Sequence, residues 1–175
     1  MLLSSAGSSN FVRGKVMTCA KSVRACLFLF FLALCGLGSM PVARAAECSP
    51  EMSRRAVALL PDASDSWSSL LRHQTTFLPC DDGELGEGYS AAVAYLFSSK
   101  WGQLEVFLDI AKENPDFGRW AMHHIDATAS DEELNSIISN ANSCAGGIVK
   151  RKICNSIKNY AKDALIESRR MRGAR

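Results

Sequence analysis

Apolar positions recur along most of this chain with the spacing of an α-helix. Trp67, Leu70 and Leu71 stand at i, i+3 and i+4, and comparable faces follow downstream. Polar and apolar residues never alternate for more than a few positions, so the pattern does not predict strands. It predicts seven helices, over residues 50–60, 62–78, 89–99, 100–113, 115–125, 131–141 and 148–167.

Capping residues support three of these helix starts. Ser49 and Asn114 each precede a proline, which is the order of an N-cap followed by proline at the first helical position. Ser130 opens an S-x-x-E capping box with Glu133. Helices joined by short connectors predict an all-α domain in which antiparallel helix pairs stack side by side. Such an architecture is a helical bundle or is similar to a short HEAT-like α-solenoid, although the sequence has no repeat of fixed period.

The start of the chain has the order of a secretory signal peptide. Basic residues between positions 13 and 24 precede an apolar run over residues 25–37, and Ala43-Arg44-Ala45 places small residues at −3 and −1 of a cleavage site. We therefore expect a leader of residues 1–45, cleavage between Ala45 and Ala46, and one exported domain of residues 46–175.

Other interpretations of this leader are weaker. A membrane anchor needs about 20 apolar residues, and the run over residues 25–37 is shorter. A lipoprotein signal at Cys35 needs a small residue where Leu34 stands. Met17 is an alternative start that gives a leader of more ordinary length. No stretch after residue 46 is apolar and long enough to predict a transmembrane segment in the mature chain.

Four cysteines follow the leader: Cys48, Cys80, Cys144 and Cys154. An even number in an exported chain predicts two disulfides. Their spacing favours Cys48–Cys80 and Cys144–Cys154, while sequence alone leaves the other two connectivities open. A zinc site is the alternative, but the chain has no C-x-x-C and no cysteine–histidine pair at zinc-ligand spacing. We expect no metal and no cofactor.

Charge is divided unevenly along the mature chain. Residues 46–147 hold 16 Asp and Glu against 6 Lys and Arg, whereas residues 148–175 hold 2 against 9. The basic C-terminal helix, expected over residues 148–170, either lies on the acidic body or faces an acidic protein or anionic lipid. Nucleic acid is not an expected partner, because no stacking aromatics are interleaved with the basic residues.

Candidate catalytic chemistry is sparse. His123, His124 and Asp126 are close in sequence, but metal-binding histidines on a helix stand at i and i+4 or in H-E-x-x-H. The spacing favours one packed and one surface histidine. The chain also has no G-x-S-x-G nucleophile motif. No catalytic residue is predicted.

Residues 81–88 are rich in glycine and acidic residues, which favours a solvated loop. Calcium is the functional alternative for such a loop, but the spacing of an EF-hand is missing.

These observations favour a periplasmic or secreted helical protein that acts by binding another protein. One concrete form of this hypothesis is an immunity or inhibitor-type protein. Two alternatives stay open. One is a small hydrolase or metal-dependent enzyme using His123, His124 and Asp126; the other is an envelope-associated structural protein whose basic helix contacts anionic lipid. The candidate partner surfaces are acidic, at Asp81, Asp82, Glu84 and Glu87, and basic, at Lys150, Arg151 and Lys152.

Overall fold

The computed structural model describes residues 47–174, which form seven α-helices and no strand. Short 3-10 turns lie at Leu78–Cys80 and Trp101–Gln103. The prediction of an all-α fold with seven helices is confirmed for this part of the chain. The leader of residues 1–45 and the cleavage site at Ala45 and Ala46 lie outside it. The helices are α1 (Pro50–Ala63), α2 (Trp67–Phe77), α3 (Gly83–Ser99), α4 (Leu104–Glu113), α5 (Pro115–His123), α6 (Asp131–Asn142) and α7 (Ile148–Gly173).

The expected caps begin the helices as predicted, with one difference in detail. The Ser49 side chain accepts a hydrogen bond from the Met52 amide, and Ser130 and Glu133 form both bonds of a capping box. Asn114 occupies the N-cap of α5, but its amide donates backward to the Ile110 carbonyl. The start of α5 is therefore set by the backbone conformation of Asn114 and by the proline that follows it, without a side-chain cap.

Helices α1 and α7 are longer than the pattern predicts. Helix α1 continues through Pro61 to Ala63, because burial of Leu60 and Ala63 outweighs the hydrogen bond that a proline removes. Helix α7 continues beyond residue 167 to Gly173, where Arg169 and Arg172 bind Asp131 at the start of α6. The last turn is thus held by ion pairs.

The prediction of a loop over residues 81–88 is wrong, because α3 begins at Gly83. Leu85 and Tyr89 stand four residues apart and are fully buried, which holds this glycine-rich segment in a helix. Gly88 allows α3 to approach α1 closely: a Cβ at this position would lie 2.5 Å from Leu60 Cδ2. The glycines that favour a loop in the sequence include one that packs against the end of the Leu60 side chain.

Aromatic side chains fill the centre of the core. The Trp67 ring lies with its centroid 4.6 Å from those of Phe97 and Phe107, and 6.5 Å from that of Phe117. These four residues come from α2, α3, α4 and α5 and are nearly inaccessible to solvent. One aromatic cluster therefore joins four of the seven helices.

Both predicted disulfides are present. Cys48–Cys80 joins the residue before α1's cap to the 3-10 turn after α2, so these two helices form an antiparallel hairpin. Cys144–Cys154 ties the α6–α7 connection to the second turn of α7. None of the helices within residues 47–174 is long and apolar enough to cross a membrane.

Candidate functional site

The first part of the site is the turn that leads into α3. The buried Cys80 and its disulfide fix the chain just before Asp81. Asp82 is the N-cap of α3, and its carboxylate accepts from the Gly83 amide at 2.7 Å. Gly83 has a φ of +50°, which a residue with a side chain adopts only with strain. This local geometry turns Asp81 inward and leaves Asp82 at the surface.

The second part is the segment that follows α5. Helix α5 ends at His123, and His124 occupies its C-cap. Asp126 then accepts from the Thr128 amide at 2.8 Å and from the Thr128 hydroxyl at 2.5 Å, both on its Oδ1. These bonds form an Asx turn that leaves the other carboxylate oxygen of Asp126 free to face α3.

Ser90 of α3 connects the two parts. Its Oγ lies 2.9 Å from Nδ1 of His124 and 2.6 Å from Oδ2 of Asp126. The other ring nitrogen of His124, Nε2, lies 3.2 Å from Oδ2 of Asp81. The same Asp81 oxygen accepts from Nε1 of Trp120 at 2.6 Å. We call the connected set Asp81, Ser90, Trp120, His124 and Asp126 the carboxylate–histidine network.

The distances around Ser90 constrain where the protons lie. Its single hydroxyl proton suits the short contact with the Asp126 carboxylate, since bonds to charged acceptors are the short ones. Each ring nitrogen of His124 then faces an oxygen that can accept a hydrogen bond: the Ser90 hydroxyl at Nδ1 and the Asp81 carboxylate at Nε2. Ser90 Oγ also lies 3.2 Å from the Gly86 carbonyl of its own helix.

Asp81 is held in its charged form. Burial alone would raise the pKa of this carboxyl, but hydrogen bonds from His124 and Trp120 and the charge of His124 lower its pKa below the ordinary value. The side chains of Asp81 and His124 are each only 14% exposed. A fixed negative charge therefore stands at the floor of the site.

Four members of the network, Asp81, Ser90, His124 and Asp126, line an open polar cleft of about 500 Å³. Asp82 and Glu87 stand at its exposed rim, and Asp81 and Asp126 lie deeper. Among the described residues that line this space, four supply carboxylates and one, His124, supplies a basic side chain. The cleft has the electrostatics of a site for a positively charged group.

The residues singled out in the sequence separate into distinct places. Asp81, Asp82 and Glu87 line the cleft, whereas Glu84 is exposed on α3 and does not line it.

His124 and Asp126 join the network through Ser90, while the exposed His123 packs its ring against Tyr160 of α7. Lys150 of the basic surface is half-buried and bound to Glu105, and Arg151 and Lys152 are exposed.

Sequence reasoning missed the residues that join these groups. Ser90 and Trp120 carry no motif, and they meet Asp126 and Asp81 across 36 and 39 residues of sequence. The spacing D-x-T at Asp126 and Thr128 is the one local signal, because aspartate commonly bonds the backbone two residues on.

The described residues offer limited catalytic or metal chemistry. Ser90 is 2% exposed and directs its proton to a carboxylate, so it is poorly placed to act as a nucleophile. Within residues 47–174, no three His, Cys, Asp or Glu side chains converge as a metal site.

Comparison with known protein families, curated proteins and solved structures gives no match.

A second buried histidine lies behind the network. His73 has Nδ1 2.9 Å from the Tyr89 hydroxyl and Nε2 3.0 Å from the Ala56 carbonyl. The neutral ring satisfies both contacts, with Nε2 donating to the carbonyl and Nδ1 accepting from Tyr89. Burial lowers the pKa of His73, although its bond to Ala56 opposes this. Burial and the charge of Asp81 raise the pKa of Tyr89.

We expect acidification to destabilise the fold through His73. Its lowered pKa means that the unfolded chain takes up the proton first, so stability falls as pH drops below about 6.5 and levels off below the folded-state pKa. Thermal melts from pH 7.5 to 5 measure this slope. His73→Gln, whose amide can both donate and accept, should be less stable at pH 7 but show a shallower slope. An equal slope in the two proteins would contradict this assignment.

Proposed function

We propose that this chain is an exported protein that acts by binding another protein, and that a cationic side chain of the partner enters the acidic cleft. The observation that carries the proposal is the cleft itself, in which four carboxylates surround an open space of about 500 Å³. Its volume lies within the range of small ligand sites, about 300–1,000 Å³. An arginine or lysine side chain is a ligand of suitable size and charge.

The fixed geometry of the cleft supports recognition. Asp81 and Asp126 are each held by two donor residues, so little side-chain freedom remains to be lost when a cation binds. The two disulfides and the signal-peptide order of the first 45 residues support export. An immunity or inhibitor-type protein, which blocks a basic site on an enzyme, is the concrete form of this proposal.

Charge reversal at the rim of the cleft tests the proposal. Glu87 lines the cleft, and Glu84 on the same helix provides a matched control because it is exposed and outside the cleft. We expect Glu87→Lys to weaken binding of a partner captured from envelope extract at least about tenfold, since like charges in contact cost several kcal/mol. Glu84→Lys should bind as the wild type does. Equal capture by both variants, or no stoichiometric partner, would contradict the proposal.

A hydrolase is the second candidate. Ser90, His124 and Asp81 are in contact in the order of a nucleophile, a base and an orienting carboxylate, and in that role the Ser90 proton would have to point to His124 and not to Asp126. Hydrolysis of a chromogenic ester that is lost in Ser90→Ala would favour it. The same activity in the variant would remove this candidate. Metal content after purification tests the metal-dependent form at His123, His124 and Asp126.

A further inference from the structure

The outward side of α7 combines aliphatic and basic residues in one stripe. Ile148 and Ile166 are 79% and 58% exposed. They stand 18 residues apart, which is five helical turns, so they lie on one line about 27 Å apart. We call this surface the outward face of α7; it comprises Ile148, Arg151, Lys152, Lys158, Lys162 and Ile166.

The basic residues of the outward face are free to meet a partner. Within residues 47–174, the ion pairs of α7 engage Lys150, Arg169, Arg170 and Arg172, but no basic residue of the outward face. Asp163 is the acidic residue that follows Lys162 near this side. Arg151, Lys152 and Lys162 are exposed and Lys158 is half-buried, and the exposed Asn155 and Asn159 also lie between the two isoleucines.

The outward face is held toward solvent by packing on the other side of α7. Ile157, Ala161 and Leu165 are buried in the core that α7 shares with α6. The Cys144–Cys154 disulfide fixes the first turns, where Val149 is also 74% exposed. The exposed aliphatic side chains therefore cannot turn inward without unpacking the helix.

We propose that the outward face of α7 lies on an anionic lipid surface. Lysine and arginine near such a surface are attracted to its phosphates, and isolated aliphatic side chains enter the boundary between headgroups and acyl chains. A straight stripe with apolar residues at both ends and cations between them suits a flat, extended surface. The cleft-lining residues belong to α3, the turn before it and the segment that follows α5, and none is on α7, so this proposal is independent of the cleft.

Co-sedimentation of the whole protein with lipid vesicles tests this proposal. We expect binding to vesicles of phosphatidylglycerol and phosphatidylcholine in equal parts, little binding to phosphatidylcholine alone, and weakening by salt. The variant K152Q/K158Q/K162Q should bind at least about tenfold more weakly, since each cation near the surface contributes about fivefold.

A matched triple variant controls for net charge. R54Q/R55Q/R72Q removes the same charge from exposed positions on α1 and α2 and should bind as the wild type does. I148S/I166S should bind more weakly while retaining the salt dependence. Circular dichroism melts confirm that each variant is folded. The proposal would be overturned if the protein did not bind anionic vesicles, or if the two triple variants lost binding equally. Without binding to anionic vesicles, an acidic protein would remain as the partner of this face.

Discussion

Removing the Cys48–Cys80 disulfide is expected to lower the free energy of unfolding by about 4 kcal/mol, because the bridge closes a segment of 32 residues in the unfolded chain. Cys144–Cys154 closes 10 residues, so its removal should cost about 3 kcal/mol. For a domain of this size, the larger loss corresponds to a fall in melting temperature on the order of 10–20 °C.

Thermal melts of C48A/C80A, C144A/C154A and the reduced wild type measure these effects. The wild type in reductant should melt below either variant in oxidising buffer, since it lacks both bridges. Thiol alkylation followed by intact mass confirms which cysteines are free. An unchanged melting temperature in reductant would contradict a stabilising role for both bridges.

Asp81→Ala is expected to destabilise the fold by about 3 kcal/mol. The variant removes the shared acceptor of Trp120 and His124 in a site where the lost side chain is 14% exposed. Two donors then remain in a poorly solvated place, and that is costly. Urea unfolding at pH 7 measures the loss. Glu84→Ala is the control, because Glu84 is exposed in the first turn of α3, where losing an acidic side chain costs at most about 1 kcal/mol.

The pH dependence and the pairwise coupling distinguish this account from simple loss of packing. The lowered pKa of Asp81 means that its stabilising contribution is present above about pH 4 and is lost as pH falls through the lowered value. The difference in the free energy of unfolding between the wild type and Asp81→Ala should therefore shrink in acid.

In a double-mutant cycle with His124→Ala, we expect a coupling of about 1–3 kcal/mol. Additive losses would show that the two side chains act separately.

Most of the fold could be predicted from the sequence because its information is local. Helix periodicity, the caps at Ser49 and Ser130 and the spacing of four cysteines each depend on residues close in sequence. The errors fall where tertiary packing overrides local preference. Gly88 favours a loop, yet it sits in a helix because the neighbouring Leu85 and Tyr89 are buried in the core.

The site could be predicted only in fragments. Asp81, His124 and Asp126 attract attention as charged or titratable residues, but nothing in the sequence indicates that they meet. Ser90 contacts His124 and Asp126, and Asp81 contacts His124 and Trp120, each pair being 34 to 43 residues apart in sequence. Ser90 lies inside α3, and its two partners follow α5. No sequence spacing predicts that such residues are in contact. The cleft depends on how α3 and the end of α5 pack, and that arrangement is a property of the folded core.

The indole signals of the three tryptophans give the most direct test of cation binding in the cleft. Trp120 does not itself line the cleft, but its Nε1 donates to Asp81, which does. Trp67 lies in the core, and Trp101 packs against Phe97. We would titrate the ¹⁵N-labelled protein with a short lysine-containing peptide and with its glutamate counterpart. We expect the Trp120 indole signal alone to shift, with the lysine peptide only, and the shift to be lost in Glu87→Lys but kept in Glu84→Lys. An unmoved Trp120 signal, or an equal shift in both variants, would contradict binding of a cationic partner at this site.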